Sequence, residues 1–350
     1  HETNISKSLS IIDNLKTSKS HTNPKTYYGN KDKWRLMLKE TDADIVVIST
    51  DWNTHGIMAI ETMKNNKHAF VEVPLANTIK ELWEIVNTSE KFQKHCMMME
   101  NVNYGREELM FLNLCRKGLL GELYHGEAAY IHDLRWQMYE EEIGTGSWRT
   151  LQYEKKKGNL YPTHGLGPVS QYMNLLRTED TFKTLISFSS PALGREKFAR
   201  ENFKENHKWN KLNYQNGDIN TTVIKTYLGR TIMVQWDETS PRPYTRLNLI
   251  QGTKGILAGG PTRAAFDNGF EGYTKDAEEW IIGEGIDALY EKYDHPMYKR
   301  LHKITQDSGH GGMDGMMVYR IIECLRKGEP LDQNVYEGCA WSSLIELTSN

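Results

Sequence analysis

The 350-residue sequence has only four cysteines, Cys96, Cys115, Cys324 and Cys339, none at two-residue spacing. That scatter argues against a zinc knuckle and a disulfide framework and predicts free, buried thiols. No apolar run approaches the roughly 20 residues that span a bilayer, and the longest, such as Ile45-Val46-Val47-Ile48, are strand-sized. Charge of one sign is also lacking: the net value is -3 with both signs intermixed, so nucleic acid is not an expected partner. Neither an initiator methionine nor a signal-peptide pattern stands at His1, and the sequence stops abruptly at Asn350. The expectation is a piece of a longer protein. What is present is 38% hydrophobic residues, enough for a sizeable core, and a length suited to two domains.

Apolar spacing at Ile5, Leu9, Ile12 and Leu15 predicts a helix over 5–15, and a second, short one covers 33–39. The β-branched run 44–50 reads as a buried parallel strand. A loop over 51–55, a helix over 56–65, a strand over 69–73, a helix opened by the capping box Thr78-Ile79-Lys80-Glu81, and a strand over 95–100 follow. This alternation predicts a doubly wound parallel α/β sheet over 1–120, which binds ligands beyond the carboxyl ends of its strands. Those ends are Thr50-Asp51-Trp52, Glu72-Val73-Pro74 and Glu100-Asn101. After a helix over 107–117 the periodicity changes. Strands over 124–131, 184–189, 221–227, 231–236 and 247–250 predict an α+β part over 121–350 with a large, mostly antiparallel sheet. Helices over 169–176 and 316–327 complete it, the latter offering Met317, Ile321, Ile322 and Leu325 to a core. The late helices are free to pack back on the first sheet.

Between the first two strands of that second part lies the stretch 158–168, with three glycines, two prolines, Tyr161 and His164. If His164 opens a helix, the two side chains sit one turn apart and face one pocket, a pairing suited to acid and base work. A tight turn with a satisfied histidine explains the same residues. Glu72 reads equally as a helix cap, Arg149 as a surface ion pair and Tyr130 as a half-buried strand aromatic. His132-Asp133 and the pair His310 and Asp314 lack a third ligand at a recognised spacing, so no metal is expected. Met97-Met98-Met99 reads as core packing.

Several strings in order, His95-Cys96-Met97-Met98-Met99-Glu100-Asn101, Tyr104-Gly105-Arg106-Glu107-Glu108, Tyr130-Ile131-His132-Asp133-Leu134-Arg135, the 159–168 stretch, Thr239-Ser240-Pro241-Arg242-Pro243-Tyr244 and His310-Gly311-Gly312-Met313-Asp314, carry a resemblance. The sequence resembles the Gfo/Idh/MocA oxidoreductase-like superfamily, and within it glycoside hydrolase family 109, the bacterial NAD-dependent α-N-acetylgalactosaminidases. The superfamily's dehydrogenases carry Glu-Lys-Pro where Glu72-Val73-Pro74 stands, and Val73 cannot do the lysine's work. No G-x-G-x-x-G follows a strand, so the resemblance implies that the family's first strand, phosphate loop and ribose-binding acid precede His1. Residues 1–120 would then be a partial Rossmann-type NAD-binding domain and 121–350 the substrate domain, with weak NAD binding for this stretch alone. Any export signal would also lie upstream.

The resemblance implies an NAD-using hydrolysis of terminal α-linked N-acetylgalactosamine: transient oxidation at C3, elimination at C1, water addition and re-reduction, outside the two-carboxylate scheme of most glycosidases. By matching position, Trp52, Asn53, Thr54, His55, Glu72, Val73, Asn101 and Tyr161 would line the cofactor. Tyr130, Arg149, Tyr161, Pro162, Thr163, His164 and Tyr244 would hold the sugar, with His164, Tyr161 and Tyr130 as catalytic candidates. An NAD(P)-dependent sugar oxidoreductase and a non-catalytic sugar-binding protein are the alternatives, and the broad second sheet would suit a homo-oligomer.

Overall fold

The computed structural model describes residues 2–15, 24–142 and 146–349. Its first part contains α1 (Glu2–Leu15), α2 (Lys33–Glu40), β1 (Ile45–Ile48), α3 (Trp52–Lys64), β2 (His68–Val71), α4 (Ile79–Phe92), β3 (Cys96–Met98) and α5 (Arg106–Arg116). The three strands form a parallel sheet in the order β1-β2-β3. Its residues alternate between two cores, as the pleat requires. Ala69, Val71 and Met98 join a large cluster with α3 and α4, whereas Phe70, Met97 and Met99 face a second cluster. Burial on both faces is why these strands read as unbroken apolar runs. Val47, on β1 at the sheet's edge, is 57% exposed.

The second part contains β4 (Leu123–Ile131), α6 (Thr150–Lys155), α7 (Thr163–Tyr172), β5 (Phe182–Ser189), α8 (Gly194–Asn202), β6 (Asn220–Thr226), β7 (Thr231–Asp237), β8 (Leu249–Gly252), β9 (Gly255–Ala258) and β10 (Arg263–Phe266). They make a seven-stranded sheet ordered β10-β9-β8-β4-β7-β6-β5. All pairings are antiparallel except β4 with β7. That parallel pair arises because the chain leaves β4 through a long crossover bearing α6 and α7, and the β5-β6-β7 meander returns its third strand beside β4 in the same direction.

Helices α9 (Glu284–Tyr293), α10 (Pro296–Thr305), α11 (Met313–Lys327) and α12 (Val335–Leu347) follow. On α11, Met317 and Ile321 are buried and Leu325 packs beside them, but Ile322 points outward, 39% exposed. Helix α12 returns to the parallel sheet: Ser342 accepts the Leu75 N–H at 3.1 Å, and Gly338 lies against Met98. Of the four free thiols, Cys96, Cys324 and Cys339 are buried and Cys115 is half-buried. Among the described residues, no helix is long and apolar enough to cross a membrane.

Candidate functional site

Two helix starts differ from the sequence expectation, and both bear on the site. The Asp51 carboxylate accepts the Asn53 N–H at 3.0 Å, so α3 begins at Trp52 rather than after a loop over 51–55. Trp52, Asn53, Thr54 and His55 therefore occupy its opening turns. Likewise α7 begins at Thr163, not at 169, and ends at Tyr172, after which Asn174 and Leu176 take positive φ. Pro168 sits inside it and supplies no N–H to the His164 carbonyl. The glycines of this stretch answer to close approach. A Cβ on Gly165 would stand 2.3 Å from the Ala129 nitrogen on β4, and one on Gly158 would meet the Thr348 backbone. Just before α7, Asn159 Oδ1 accepts the Tyr161 N–H at 3.0 Å, fixing the turn that aims Tyr161 and His164.

At its head, α7 places His164 Nδ1 2.6 Å from Glu100 Oε1. Glu100 is 0% exposed and stands just beyond β3, at the carboxyl end of the parallel sheet. Because an ionised carboxylate only accepts, Nδ1 carries the proton and Nε2 is left as an acceptor, 3.5 Å from the Tyr161 hydroxyl. The Tyr161 ring packs on Tyr130 with centroids 4.7 Å apart, and Tyr130 also meets the His164 ring edge-on at 5.0 Å. The Tyr130 hydroxyl reaches His132 Nδ1 at 3.1 Å, and Tyr244 closes the group at 5.1 Å from the His132 ring. Tyr244 is largely exposed and borders a cleft of about 280 Å³ with Arg246 and Glu107.

Arg149 is not the surface ion pair that its local sequence allows. Its guanidinium lies 5.3 Å from the Tyr161 ring centre, 5.0 Å from that of Trp52 and 5.6 Å from that of Trp148. Burial opposes its charge, yet Glu238 and the phenols of Tyr161 and Tyr130 hold its pKa above the ordinary value. Burial likewise raises both phenols, so Tyr161 and Tyr130 remain protonated at neutral pH. His132 is lowered by burial and is neutral there, able to accept the Tyr130 proton.

On the parallel-sheet side, Glu72 is half-buried and its pKa is raised by burial, then by Asp314 and Glu100. Asn101 donates to Asp314 Oδ1 at 2.7 Å, linking the end of β3 to α11. Val73 and Trp52 are buried, whereas Asn53 is exposed and Thr54 half-buried. His55 is 1% exposed with both ring nitrogens on carbonyls, Pro74 O at 2.7 Å and Thr50 O at 3.1 Å. That geometry gives it the work of tying two strand-end loops together. Pro162 and Thr163 are buried beneath the site. His310 pairs with Asp314 at 2.7 Å.

The carboxyl ends of the strands hold polar groups with no protein partner: Glu100 Oε2, and both Oδ1 and Nδ2 of Asn77 in the loop after β2. A ring carrying a carboxamide, as in nicotinamide, suits such a donor and acceptor set. Sequence reasoning missed Glu100, His132, Trp148 and Glu238 as members of the site. Only Glu100 carried a signal, its place at the carboxyl end of a parallel strand.

The C-terminal-domain profile of glycosyl hydrolase 109 matches residues 104–350, and that of the oxidoreductase family with an NAD-binding Rossmann fold matches 3–100. The chain belongs to glycosyl hydrolase family 109. It is 57% identical over 332 residues to a glycosyl hydrolase family 109 protein 1 of Akkermansia muciniphila, covering 94% of this chain and 68% of that protein. A family 109 protein of Shewanella baltica is also 57% identical, with 93% and 70% covered. Among solved structures, an oxidoreductase domain protein from Kribbella flavida aligns with a TM-score of 0.67 at 17% identity, over 89% of this chain and 79% of that one. Levoglucosan dehydrogenase in complex with NADH and levoglucosan aligns at 0.66 and 16%, over 90% and 79%. These two share the fold. As a family 109 member the protein is a glycosidase that uses NAD and acts on a sugar.

Proposed function

We propose that this glycosidase removes terminal α-linked N-acetylgalactosamine without net oxidation or reduction. Trp52, Glu72, Val73 and Asn101 hold the nicotinamide half of NAD, and we place the division between cofactor and substrate parts near residue 120. When bound, NAD supplies a reversible oxidation at sugar C3, which acidifies the neighbouring C2 proton.

The observation that carries the reading is the run Glu100, His164, Tyr161, Tyr130, His132, two imidazoles bracketing two packed phenol rings. Glu100 holds His164 as the tautomer whose Nε2 takes a proton from a sugar hydroxyl and later returns it. Tyr130 passes its proton to neutral His132 as it takes the one at C2, the C1 substituent departs, water adds, and reversal of the C3 oxidation restores the sugar. The Tyr130 and Tyr161 rings give the sugar an amphipathic wall, and Arg149 and Tyr244 hold its polar groups. Val73 argues against a dehydrogenase, because no lysine stands beside Glu72 to serve a one-way redox reaction.

The test follows aglycone release and NADH absorbance together, with the full-length protein and a chromogenic α-N-acetylgalactosaminide. Release without NADH accumulation, lost when cofactor is stripped, is expected. NADH formed in proportion to substrate without cleavage would make the protein an oxidoreductase, and sugar binding with neither signal would make it a non-catalytic binder.

A further inference from the structure

We infer that Glu238 is a positioning residue for the sugar site: a buried counter-charge that fixes Arg149 against the aromatic wall. The inference rests on Arg149 being a sugar ligand. Glu238 is 0% exposed and lies just past the end of β7. Its Oε2 accepts the Tyr153 hydroxyl, and its Oε1 stands 3.7 Å from Arg149 Nη1 with no hydrogen-bond partner of its own. Among the described residues it is the one carboxylate paired with Arg149.

A guanidinium largely withdrawn from water, its side chain 19% exposed, is stabilised by a compensating charge at this distance. The pairing is electrostatic rather than a bidentate clamp, which would engage two guanidinium N–H groups. Glu238 thus holds Arg149 over Trp52, Trp148 and Tyr161 without locking it in a fork. The carboxylate is itself anchored from below. Arg195 stacks 3.7 Å from the centre of the Tyr153 ring and reaches the Glu238 carbonyl at 3.4 Å, so Tyr153 is wedged between a cation and the carboxylate it serves. This network belongs to α6, α8 and the end of β7, none of which contributes a proton-transfer group, so its effect should fall on binding.

The experiment compares wild type, Glu238→Gln, Arg149→Met and the double variant in the full-length protein. Free N-acetylgalactosamine is titrated by tryptophan fluorescence, since Trp52 and Trp148 adjoin Arg149, and KM and kcat for the chromogenic glycoside are measured in parallel. Glu238→Gln keeps the shape and an acceptor for Tyr153 but removes the charge. It is expected to weaken sugar binding and raise KM by about tenfold or more while kcat changes by less than about threefold. In the Arg149→Met background the same change should add almost nothing, because the two residues act as one unit. Unchanged sugar affinity in a folded Glu238→Gln protein, or full additivity in the double variant, would overturn the inference. Because sugar binding is read without turnover, a wild type that binds but does not hydrolyse would sink the proposed reaction and leave this result to stand or fall separately.

Discussion

Which nitrogen of His164 carries its proton decides what the site can do, and a carboxylate from another element decides that. With Glu100 on Nδ1 at 2.6 Å, Nε2 is turned toward the Tyr161 hydroxyl. His164→Ala should leave the circular dichroism spectrum intact and lower turnover by about 10²- to 10⁴-fold, the usual span for losing a positioned acid or base. Retained turnover would remove His164 from the mechanism. Glu100→Gln keeps the size but loses the carboxylate that holds Nδ1. A fall in kcat of about 10²-fold is expected, within the range of proton-transfer groups, with sugar affinity by fluorescence titration little changed. A loss confined to sugar affinity would make Glu100 a packing residue.

Helix α7 can carry this chemistry only because it lies almost in contact with β4. The Ala129 backbone leaves no room for a Cβ on Gly165, and Gly126 makes the reciprocal allowance for Val169. Gly165→Ala must push the helix away from the sheet, so it should destabilise the protein by about 1–3 kcal/mol, as overpacking does. Calorimetry would show the lower Tm, and turnover should fall with it because His164 moves with its helix. An unchanged Tm would mean that the contact is looser than 2.3 Å implies. The residues of 158–168 read either as a helix opened by His164 or as a tight turn, and the helix was expected only from 169, since glycine and proline ordinarily mark a turn; it begins at Thr163. Short β9 and β10, each four residues, went unseen for lack of a run long enough to show a period. Helix α12 hid for the opposite reason: Val335, Trp341, Leu344 and Ile345 are buried together with Glu337 and Ser342, leaving no polar stripe.

Across the whole molecule the site is assembled from the end of the parallel sheet, the head of α7, one face of β4 and the start of α11. Glu72 registers that convergence. Burial is the largest cause of its raised pKa, and Asp314 and Glu100 add to it from α11 and from the end of β3. A carboxyl raised above its unfolded value of 4.5 contributes stability that is whole below that value and is lost as pH rises through the folded pKa. Glu72→Gln should therefore match wild type in Tm at about pH 4 and exceed it at about pH 8. Equal curves across the range would show that folding does not raise the Glu72 carboxyl. The sequence by itself determined the two kinds of sheet, because those follow from periodicities of two and 3.6 residues along the chain. Ordered motifs also pointed to the family. Only the tertiary structure decided that Glu100 serves His164 and that Glu238 sits under Arg149, because those partners are 64 and 89 positions apart and no local pattern encodes a contact made across elements.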